Sequence, residues 1–205
     1  MIATLSAQLV GAWRSTSWIE ACAALLAVVY LILAIAQRRS CWSAAFSSSC
    51  LYVVVLFHAR LYMESLLNAF YAAMALYGFW QWRPGAGRIA LAVSRWHLSR
   101  HAAGLAVVLG LSIVTSYFLR RFTPAAWPFA DSMVTWASVF ATFLVAHKVY
   151  ENWHWWLIID SAALVLYCNR RLYATMLLFA LYLVMILIGM REWRRSLPEV
   201  SRVNA

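Results

Sequence analysis

The chain has 205 residues, of which 65% are hydrophobic and only 12% are charged, and its formal net charge is +10 at pH 7. Average soluble domains contain about 45–50% apolar and about 25% charged residues, and soluble monomers avoid large apolar surfaces. This composition excludes a soluble domain and indicates a lipid bilayer as the surroundings of the protein. The basic residues form short clusters between apolar runs, as in the loops of membrane proteins, so we expect no nucleic-acid partner.

Seven apolar runs are long enough to cross the bilayer. A helix of about 20 apolar residues spans the hydrocarbon core, and an open sheet could not satisfy its backbone in lipid. In chain order, the predicted spans 1 to 7 are 18–36, 42–59, 61–82, 102–119, 128–147, 152–168 and 172–190. The sequence therefore predicts an all-α membrane protein with a single transmembrane domain over 1–205, and a polar, frayed tail after Met190.

The second half of the chain repeats the first at an offset of 111 residues. Segments 60–83 and 171–194 share 12 of 24 residues. The offset pairs tyrosines, glycines, tryptophans and acidic residues: Tyr71/Tyr182, Gly78/Gly189, Trp82/Trp193, Trp42/Trp153 and Glu20/Asp131. Matches of leucine and alanine are common between apolar helices, but matches of these other residues in one register are not, so the pattern predicts an internal duplication.

The duplication divides the chain into a first three-helix repeat at 18–83, a linker with helix 4 at 84–125, and a second three-helix repeat at 126–194. Because three helices and one linker helix make an even number, both repeats enter the membrane from the same side. We therefore expect a 3+1+3 arrangement of parallel repeats, as in the SWEET sugar transporters, with the substrate near the midplane between the repeats.

The distribution of lysine and arginine predicts the orientation of the chain. The side that carries the N-terminus holds six of these residues, and the opposite side holds eleven. The positive-inside rule then places the N-terminus outside the cell and the C-terminus in the cytoplasm.

Asp160 lies in the middle of span 6, where a carboxyl group is costly and usually functional. At about 100° per residue, Trp153, Trp156, Asp160 and Tyr167 fall within about a 60° arc, whereas Trp155 points away. Two indoles, a carboxyl and a phenol on one face predict a substrate-binding surface. The alternative is a hydrogen-bonded clamp between helices.

Span 3 offers a second polar face, on which Glu64, Asn68, Tyr71, Phe79 and Trp82 recur at helical spacing. Asn68 lies deep enough to contact a solute. Tyr71 is a further candidate, although helix packing is the simpler explanation for a single aromatic residue.

Other residues stand at the ends of the spans. Glu20 and Asp131 begin equivalent spans, where they either cap their helices, lie among the headgroups, or act as a pair of gates. Trp82 and Trp193 end equivalent spans, a position that is typical of the interfacial tryptophan belt.

These candidates favour one class of ligand. An aromatic box with one acidic residue suits a flat aromatic ligand with a positive charge, because indole faces attract cations and the carboxylate offsets the charge. Amide and hydroxyl groups would bind sugar hydroxyls. The sequence contains no phosphate-binding loop for ATP and no catalytic constellation, so we expect a transporter without a cofactor rather than an enzyme. We interpret His147 and His154 as interfacial residues rather than metal ligands.

Three stretches resemble the PnuC-type nicotinamide riboside transporters: the W-x-x-W-x-x-x-D run of Trp153, Trp156 and Asp160, NAFYAAMALYGFWQW in span 3, and KVYENWHWWLIIDSAALVLYCNRRLYATMLLFALYL across spans 6 and 7. The resemblance covers nearly the whole chain. It implies a SWEET-like fold in the bacterial inner membrane and facilitated uptake of nicotinamide riboside for NAD synthesis, with a cytoplasmic kinase that traps the vitamin precursor. It also implies that Trp153, Trp156 and Asp160 bind substrate, and it favours Asn68 and Tyr71.

Alternatives to this function stay open. Relatives of the family carry thiamine or riboflavin, and thiamine is also an aromatic cation, so a thiamine carrier that is proton-coupled through Asp160 fits the same residues. An integral-membrane enzyme or assembly factor is the alternative from another class. The sequence does not assign roles to Arg100 and His101, and it leaves open whether the chain forms homo-oligomers.

Overall fold

The computed structural model describes residues 17–60, 62–83, 91–122, 127–169 and 173–198. In chain order its helices are α1 (Trp18–Ile35), α2 (Cys41–His58), α3 (Tyr62–Gln81), α4 (Leu98–Phe122), α5 (Pro128–Ala146), α6 (Asn152–Asn169) and α7 (Tyr173–Arg195). Apart from one isolated bridge between Ser94 and Val149, the regular structure of these residues is helical. The predicted all-α fold is therefore confirmed.

Five helical stretches are long and apolar enough to cross a membrane: α1, α2, α4, α5 and the 176–195 part of α7. The remaining two helices, α3 and α6, carry the polar residues of the predicted site, among them Asn68 and Asp160. Local signals fix several helix starts. The Ser17 side chain accepts a hydrogen bond from the Glu20 backbone N–H at 3.2 Å, and Pro128 stands in the first turn of α5.

Two predicted spans end in the wrong place. Helix α4 begins at Leu98 rather than at 102 and continues to Phe122 rather than to 119, and α7 continues to Arg195 rather than ending at 190. The predicted fraying after Met190 is thus wrong as far as Arg195. The apolar run marks only the part of a helix that lipid requires, whereas α7 is prolonged because Trp193, near its end, is fully buried.

Neighbouring helices in the chain pack together as α1–α2–α3 and as α5–α6–α7, and α4 packs on α5. Between these groups, α3 packs against α5 and α1 packs against α7. At the 111-residue offset, α1 corresponds to α5 and α3 to α7. The α3–α5 contact is therefore the repeat counterpart of the α1–α7 contact. The core therefore lies where α1, α3, α5 and α7 meet.

Local details also recur at the offset. Each half contains a tryptophan that packs edge-on against a second tryptophan and covers a glycine: Trp42 with Trp82 and Gly78 in the first half, and Trp153 with Trp193 and Gly189 in the second. The ring centroids of the two pairs are 5.5 and 5.4 Å apart, with interplanar angles of 88° and 90°. We call these groups the first and second tryptophan locks.

The turns after α1 and α5 match as well. Gln37 and Lys148, which the offset pairs, have left-handed φ angles of 53° and 50°. They also meet, because the Lys148 ammonium lies 3.5 Å from the Gln37 side-chain oxygen. The same backbone conformation thus closes both turns.

Trp82 and Trp193 do not lie in an interfacial belt, and this prediction is wrong. Both are buried, with 6% and 0% of their surface exposed. Their indole N–H groups donate to the carbonyls of Ala146 and Ala34, at 3.0 and 3.1 Å. Carbonyls near the C-terminal end of a helix lack their usual partner four residues on, and the Trp82 indole satisfies that of Ala146 inside the bundle. The Trp193 indole adds a second bond to the Ala34 carbonyl, which also accepts from the Gln37 N–H at 3.0 Å.

The described end of the linker crosses the turn between α5 and α6. The Ser94 carbonyl accepts a hydrogen bond from the Tyr150 N–H at 2.8 Å, and the Ser94 N–H donates to the backbone carbonyl of Lys148 at 3.0 Å. Beside it, the Glu151 carboxylate accepts from the Arg95 guanidinium at 2.9 Å and from the Trp96 N–H at 3.1 Å. We call residues 94–96 the strap, since they tie the linker to the start of α6.

Candidate substrate site

A cavity of about 300 Å³ lies in the core, with walls from α1, α3, α5, α6 and α7. We call it the first compartment. Helix α6 contributes most of its polar wall through Asn152, Trp153, Trp156 and Asp160. Small-molecule sites commonly enclose about 300–1,000 Å³, so the first compartment is at the lower end of this range.

The structure brings together three of the four residues predicted on span 6. Trp153, Trp156 and Asp160 follow one another along one face of α6 and all line the first compartment. The second tryptophan lock fixes the first of them, because Trp153 is wedged between Trp193 and Gly189. The side chain of Tyr167, the fourth, lies outside the described residues.

The Asp160 carboxyl is 7% exposed and faces the first compartment. The described residues offer it no hydrogen bond and no ion pair. A helix clamp needs such a partner, so this arrangement argues against the clamp. A buried carboxyl without a partner is costly, above all in a membrane, and a cationic ligand would supply what the protein does not.

A second cavity of about 180 Å³ adjoins the first. Four residues line both cavities: Ala27, Tyr30, Tyr71 and Trp156. We call it the second compartment. Asn68, predicted on span 3, lines this compartment, and Tyr71 borders both. Tyr71 therefore lines the same cavity as the α6 residues, and Asn68 lines the adjoining one.

Other predicted residues stay apart from the compartments. Glu64 is exposed at the start of α3. Phe79 lies beneath the Arg39 guanidinium, 3.5 Å from its ring centroid. Glu20 and Asp131 occupy the first turns of α1 and α5 and line neither compartment. Their role as paired gates stays a prediction.

Several residues that line the compartments were not predicted from the sequence. Tyr182 lines the first compartment, and its pairing with Tyr71 in the repeat was the signal that could have indicated it. Ser49 carries the same signal, since it is paired with Asp160 at the 111-residue offset, whereas Tyr30 is paired with an alanine and resembles an ordinary packing residue of α1. Only the tertiary arrangement shows that Tyr30 borders the compartments.

Trp155 lies on the opposite side of α6, as predicted. Its ring packs edge-on against Phe140 of α5, with centroids 4.9 Å apart. It lines neither compartment. The helical-face assignment therefore separates Trp155 from Trp156 correctly.

Lys148 is a partly buried cationic residue in the α5–α6 turn. Burial lowers the pKa of its ammonium. The ammonium lies 4.6 Å from the ring centroid of Trp82, so the first tryptophan lock holds it. Neither compartment has a lysine, arginine or histidine in its lining. Among the described residues, no group of histidine, cysteine or acidic side chains is placed to hold a metal ion.

Comparison with known proteins decides the class of the protein. Residues 17–195 match the family model described as nicotinamide mononucleotide transporter. The chain belongs to this family. It is accordingly a multi-pass membrane transporter and not an enzyme, and the family predicted from the Trp/Asp run is confirmed.

Relatives within this family carry more specific names. The chain is 28% identical to the nicotinamide riboside transporter PnuC of Escherichia coli (strain K12), over 89% of this chain and 87% of the relative. It is 25% identical to the riboflavin/roseoflavin transporter RibM of Streptomyces davaonensis, over 80% and 79% of the two chains. The crystal structure of the vitamin B3 transporter PnuC aligns with a TM-score of 0.72 at 19% identity, covering 95% of this chain and 88% of that one. The structural likeness supports the fold.

Proposed function

We propose that the protein takes up nicotinamide riboside by facilitated diffusion and thereby supplies NAD synthesis. The observation that carries this proposal is the Asp160 carboxyl, which is buried against the first compartment without a partner among the described residues. Nicotinamide riboside contains a pyridinium ring, and that positive charge would neutralise the carboxylate. The name of the Escherichia coli relative, which is 28% identical, supports the same substrate.

The aromatic walls fit the rest of the pyridinium ring. Trp153, Trp156 and Tyr182 surround the first compartment together with Asp160. An indole face attracts a desolvated cation by about 2 kcal/mol, and it also stacks on a flat ring. A ligand that is both flat and cationic uses both properties of this wall.

The lining favours the riboside over the mononucleotide. A phosphate monoester carries about 1.5 to 2 negative charges at pH 7. Neither compartment has a cationic side chain in its lining, and the one acidic residue, Asp160, would repel a phosphate. We therefore assign the uncharged sugar, rather than the phosphorylated one, to this site.

We propose that transport proceeds by rocking of two repeats, 18–83 and 126–194, joined by the linker 84–125 in a SWEET-like 3+1+3 arrangement. The equivalent α3–α5 and α1–α7 contacts, the two tryptophan locks and the paired turns at Gln37 and Lys148 support this proposal. Because the sequence has no phosphate-binding loop, we expect a facilitator rather than an ATP-driven pump. The resemblance to the PnuC-type transporters further implies that a cytoplasmic kinase traps the substrate inside.

Binding and vesicle uptake test this function. Purified protein should bind nicotinamide riboside, and the mononucleotide should compete at least tenfold less well. In vesicles without ATP, ion gradients or kinase, uptake should stop at equal concentrations inside and outside. Accumulation above the outside concentration in such vesicles would show that the protein is not a facilitator.

Competing vitamins separate the alternatives. Thiamine is also an aromatic cation and satisfies Asp160 equally well, so a thiamine carrier coupled to protons through Asp160 is the second candidate. The relative RibM carries riboflavin in its name, but neutral riboflavin leaves Asp160 without a partner. We expect neither vitamin to displace nicotinamide riboside, and displacement by thiamine would transfer the proposal to that substrate.

We further propose that the protein lies in the bacterial inner membrane with its N-terminus outside and its C-terminus in the cytoplasm. The excess of eleven over six basic residues on the C-terminal side supports this orientation. A C-terminal reporter that works only in the cytoplasm should be active. Activity of a reporter that requires export, fused at the same place, would reverse the orientation.

A further inference from the structure

The two compartments are counterparts of each other at the 111-residue offset. Residues of the first compartment correspond to residues of the second as follows: Trp153 to Trp42, Trp156 to Ala45, Asp160 to Ser49, Phe179 to Asn68 and Tyr182 to Tyr71. Thr142 of the second compartment likewise corresponds to Leu31 of the first. Six lining positions of the first compartment thus have their repeat counterparts in the lining of the second, and the two compartments share a wall.

The two compartments differ at the positions that α6 and α2 contribute. Where α6 contributes the Trp156 indole and the Asp160 carboxyl, α2 contributes the Ala45 methyl group and the Ser49 hydroxyl, and Trp156 also borders the second compartment. Its remaining lining includes further polar groups but no charged residue. The second compartment, at about 180 Å³, suits a compact hydroxylated group, and the absence of charge from its lining disfavours an ionic one.

The polar groups of the second compartment that are available to a ligand include a hydroxyl of α2 and an amide oxygen of α3. Ser48 and Thr142 donate their hydroxyls to backbone carbonyls, at 2.8 Å in both cases. By contrast, the described residues provide no hydrogen-bond partner for the Ser49 hydroxyl. Asn68 donates its amide N–H to the Glu64 carbonyl at 2.9 Å, and its side-chain oxygen receives no hydrogen bond from the described residues. A hydroxyl and an amide oxygen together match the donors and acceptors of a sugar.

We propose that the second compartment is the sugar subsite of the transporter, in which Ser49 and Asn68 bind the hydroxyls of the ribose while the first compartment holds the cationic ring. The inference rests on the proposed function and adds the placement of the substrate to it. The wall shared by the two compartments, at Tyr30, Tyr71 and Trp156, is where the glycosidic bond would pass from one to the other.

A cycle of ligand and protein changes tests the subsite. Binding of nicotinamide riboside and of its 2′,3′-dideoxy form is measured by calorimetry on the wild-type protein and on Ser49→Ala, Asn68→Ala and the double variant. We expect the wild type to prefer the complete sugar by about tenfold or more, since hydrogen bonds are lost with the hydroxyls. Each single variant should reduce that preference, and the double variant should bind both ligands equally.

Two controls make the outcome specific. Ser47→Ala changes an exposed serine of the same helix and should keep the full preference. Asp160→Asn should lower the affinity for both ligands by the same factor, because both contain the pyridinium ring. Melting temperatures in detergent confirm folding. If the double variant does not fold, Ser49→Ala decides the matter alone, since it removes no hydrogen bond among the described residues.

The possible results separate the two proposals. A double variant that still prefers the complete sugar, or a wild type that binds both ligands equally, overturns the sugar subsite and leaves the transport of nicotinamide riboside intact. A wild type that binds neither ligand overturns the proposed function itself.

Discussion

Helices α2 and α6 occupy equivalent places in the two halves, and they agree at one end and differ in the middle. Near their starts, Trp42 and Trp153 make the same edge-on packing within the two tryptophan locks. One and two turns further on, Ala45 and Ser49 of α2 occupy the positions that correspond to Trp156 and Asp160 of α6 at the 111-residue offset. The locks hold helices together, and both halves need that equally. The middle positions border the cavity, and the ligand proposed for it has two unlike ends.

The largest effect we expect is from filling the space beneath the locks. A Cβ atom on Gly78 would lie 2.3 Å from the Trp42 ring, and one on Gly189 would lie 2.4 Å from the Trp153 ring. Both indoles are buried, and each is held between its glycine and the edge-on ring of a second tryptophan. Gly78→Val and Gly189→Val should therefore each lower the free energy of unfolding by about 3 kcal/mol, the upper end of the usual cost of overpacking. Melting temperature in detergent measures this loss.

Gly110→Val is the matched control, because no atom lies within 4 Å of a Cβ at that exposed position of α4. It should leave the melting temperature nearly unchanged. If only one of the two lock glycines tolerated valine, the two locks would not be mechanically equivalent. Helices α2 and α6 would then differ even near their starts, where their packing agrees best.

The next largest effect concerns the charge that distinguishes α6 from α2. Asp160→Asn keeps the size of the side chain and its capacity to hydrogen-bond but removes the charge. Interactions with a charged group contribute about 1.5–3 kcal/mol, so the affinity for nicotinamide riboside should fall by about tenfold to a hundredfold. Calorimetric titration of the purified variant measures the change.

The reduced dihydro form of the riboside is the control ligand, since it keeps the sugar and the carboxamide but carries no charge. Its affinity should fall much less in Asp160→Asn than that of the cation. If Asp160 were a structural clamp, the substitution would affect neither ligand or would affect both alike, and its role as a counter-ion would have to be abandoned.

The sequence predicted the fold better than it predicted the surroundings of the site. Periodicity placed Trp156 and Asp160 on one face of α6 and Trp155 on the other, because the geometry of a single helix is local. Periodicity within one helix could not identify Ser49 or Tyr30 as lining residues, since that depends on how the helices of both halves are placed around the cavities. The substrate role of each predicted residue stays a prediction.

The errors have a similar origin. Trp193 was assigned to the membrane interface because tryptophans at the ends of spans are usually found there. The structure buries it, since its indole reaches the Ala34 carbonyl of a helix 159 residues away in the chain. A rule based only on how far a tryptophan lies from the end of its span cannot detect such a partner. The same burial explains why α7 runs past Met190.

Trp156 is the other residue that separates α6 from α2, and its loss should have a smaller effect than the loss of the Asp160 charge. Trp156→Ala makes the position identical to Ala45 on the equivalent helix. Stacking and cation–π attraction contribute about 1–2 kcal/mol, so the affinity for nicotinamide riboside should fall roughly tenfold. Titration of the variant gives this value directly.

Trp155→Ala is the control on the opposite face. It should lower the melting temperature, because Trp155 packs on Phe140. It should leave the affinity nearly unchanged, because Trp155 lines neither compartment. Equal losses of affinity at Trp155 and Trp156 would contradict the orientation of α6.

The smallest effect concerns the turns that precede the two helices. The strap covers the α5–α6 turn through Glu151, whereas the equivalent residue before α2 is Ser40, whose side chain makes no capping hydrogen bond to the helix. Glu151 stands two residues before Trp153, so the strap helps to hold the start of the substrate-facing helix. Partly exposed ion pairs contribute about 0.2–1 kcal/mol, and Glu151→Gln should therefore weaken riboside binding by about fivefold at most.

Hydrogen exchange distinguishes a strap from a mere surface contact. The Tyr150 N–H donates to the Ser94 carbonyl at 2.8 Å, so its exchange should quicken in Glu151→Gln if the charge pair keeps the strap in place. Ser40→Ala, at the equivalent position, should change neither exchange nor affinity. An unaltered exchange rate at Tyr150 in Glu151→Gln would mean that backbone hydrogen bonds alone hold the linker, and that the two turns differ in sequence but not in what they contribute to the site.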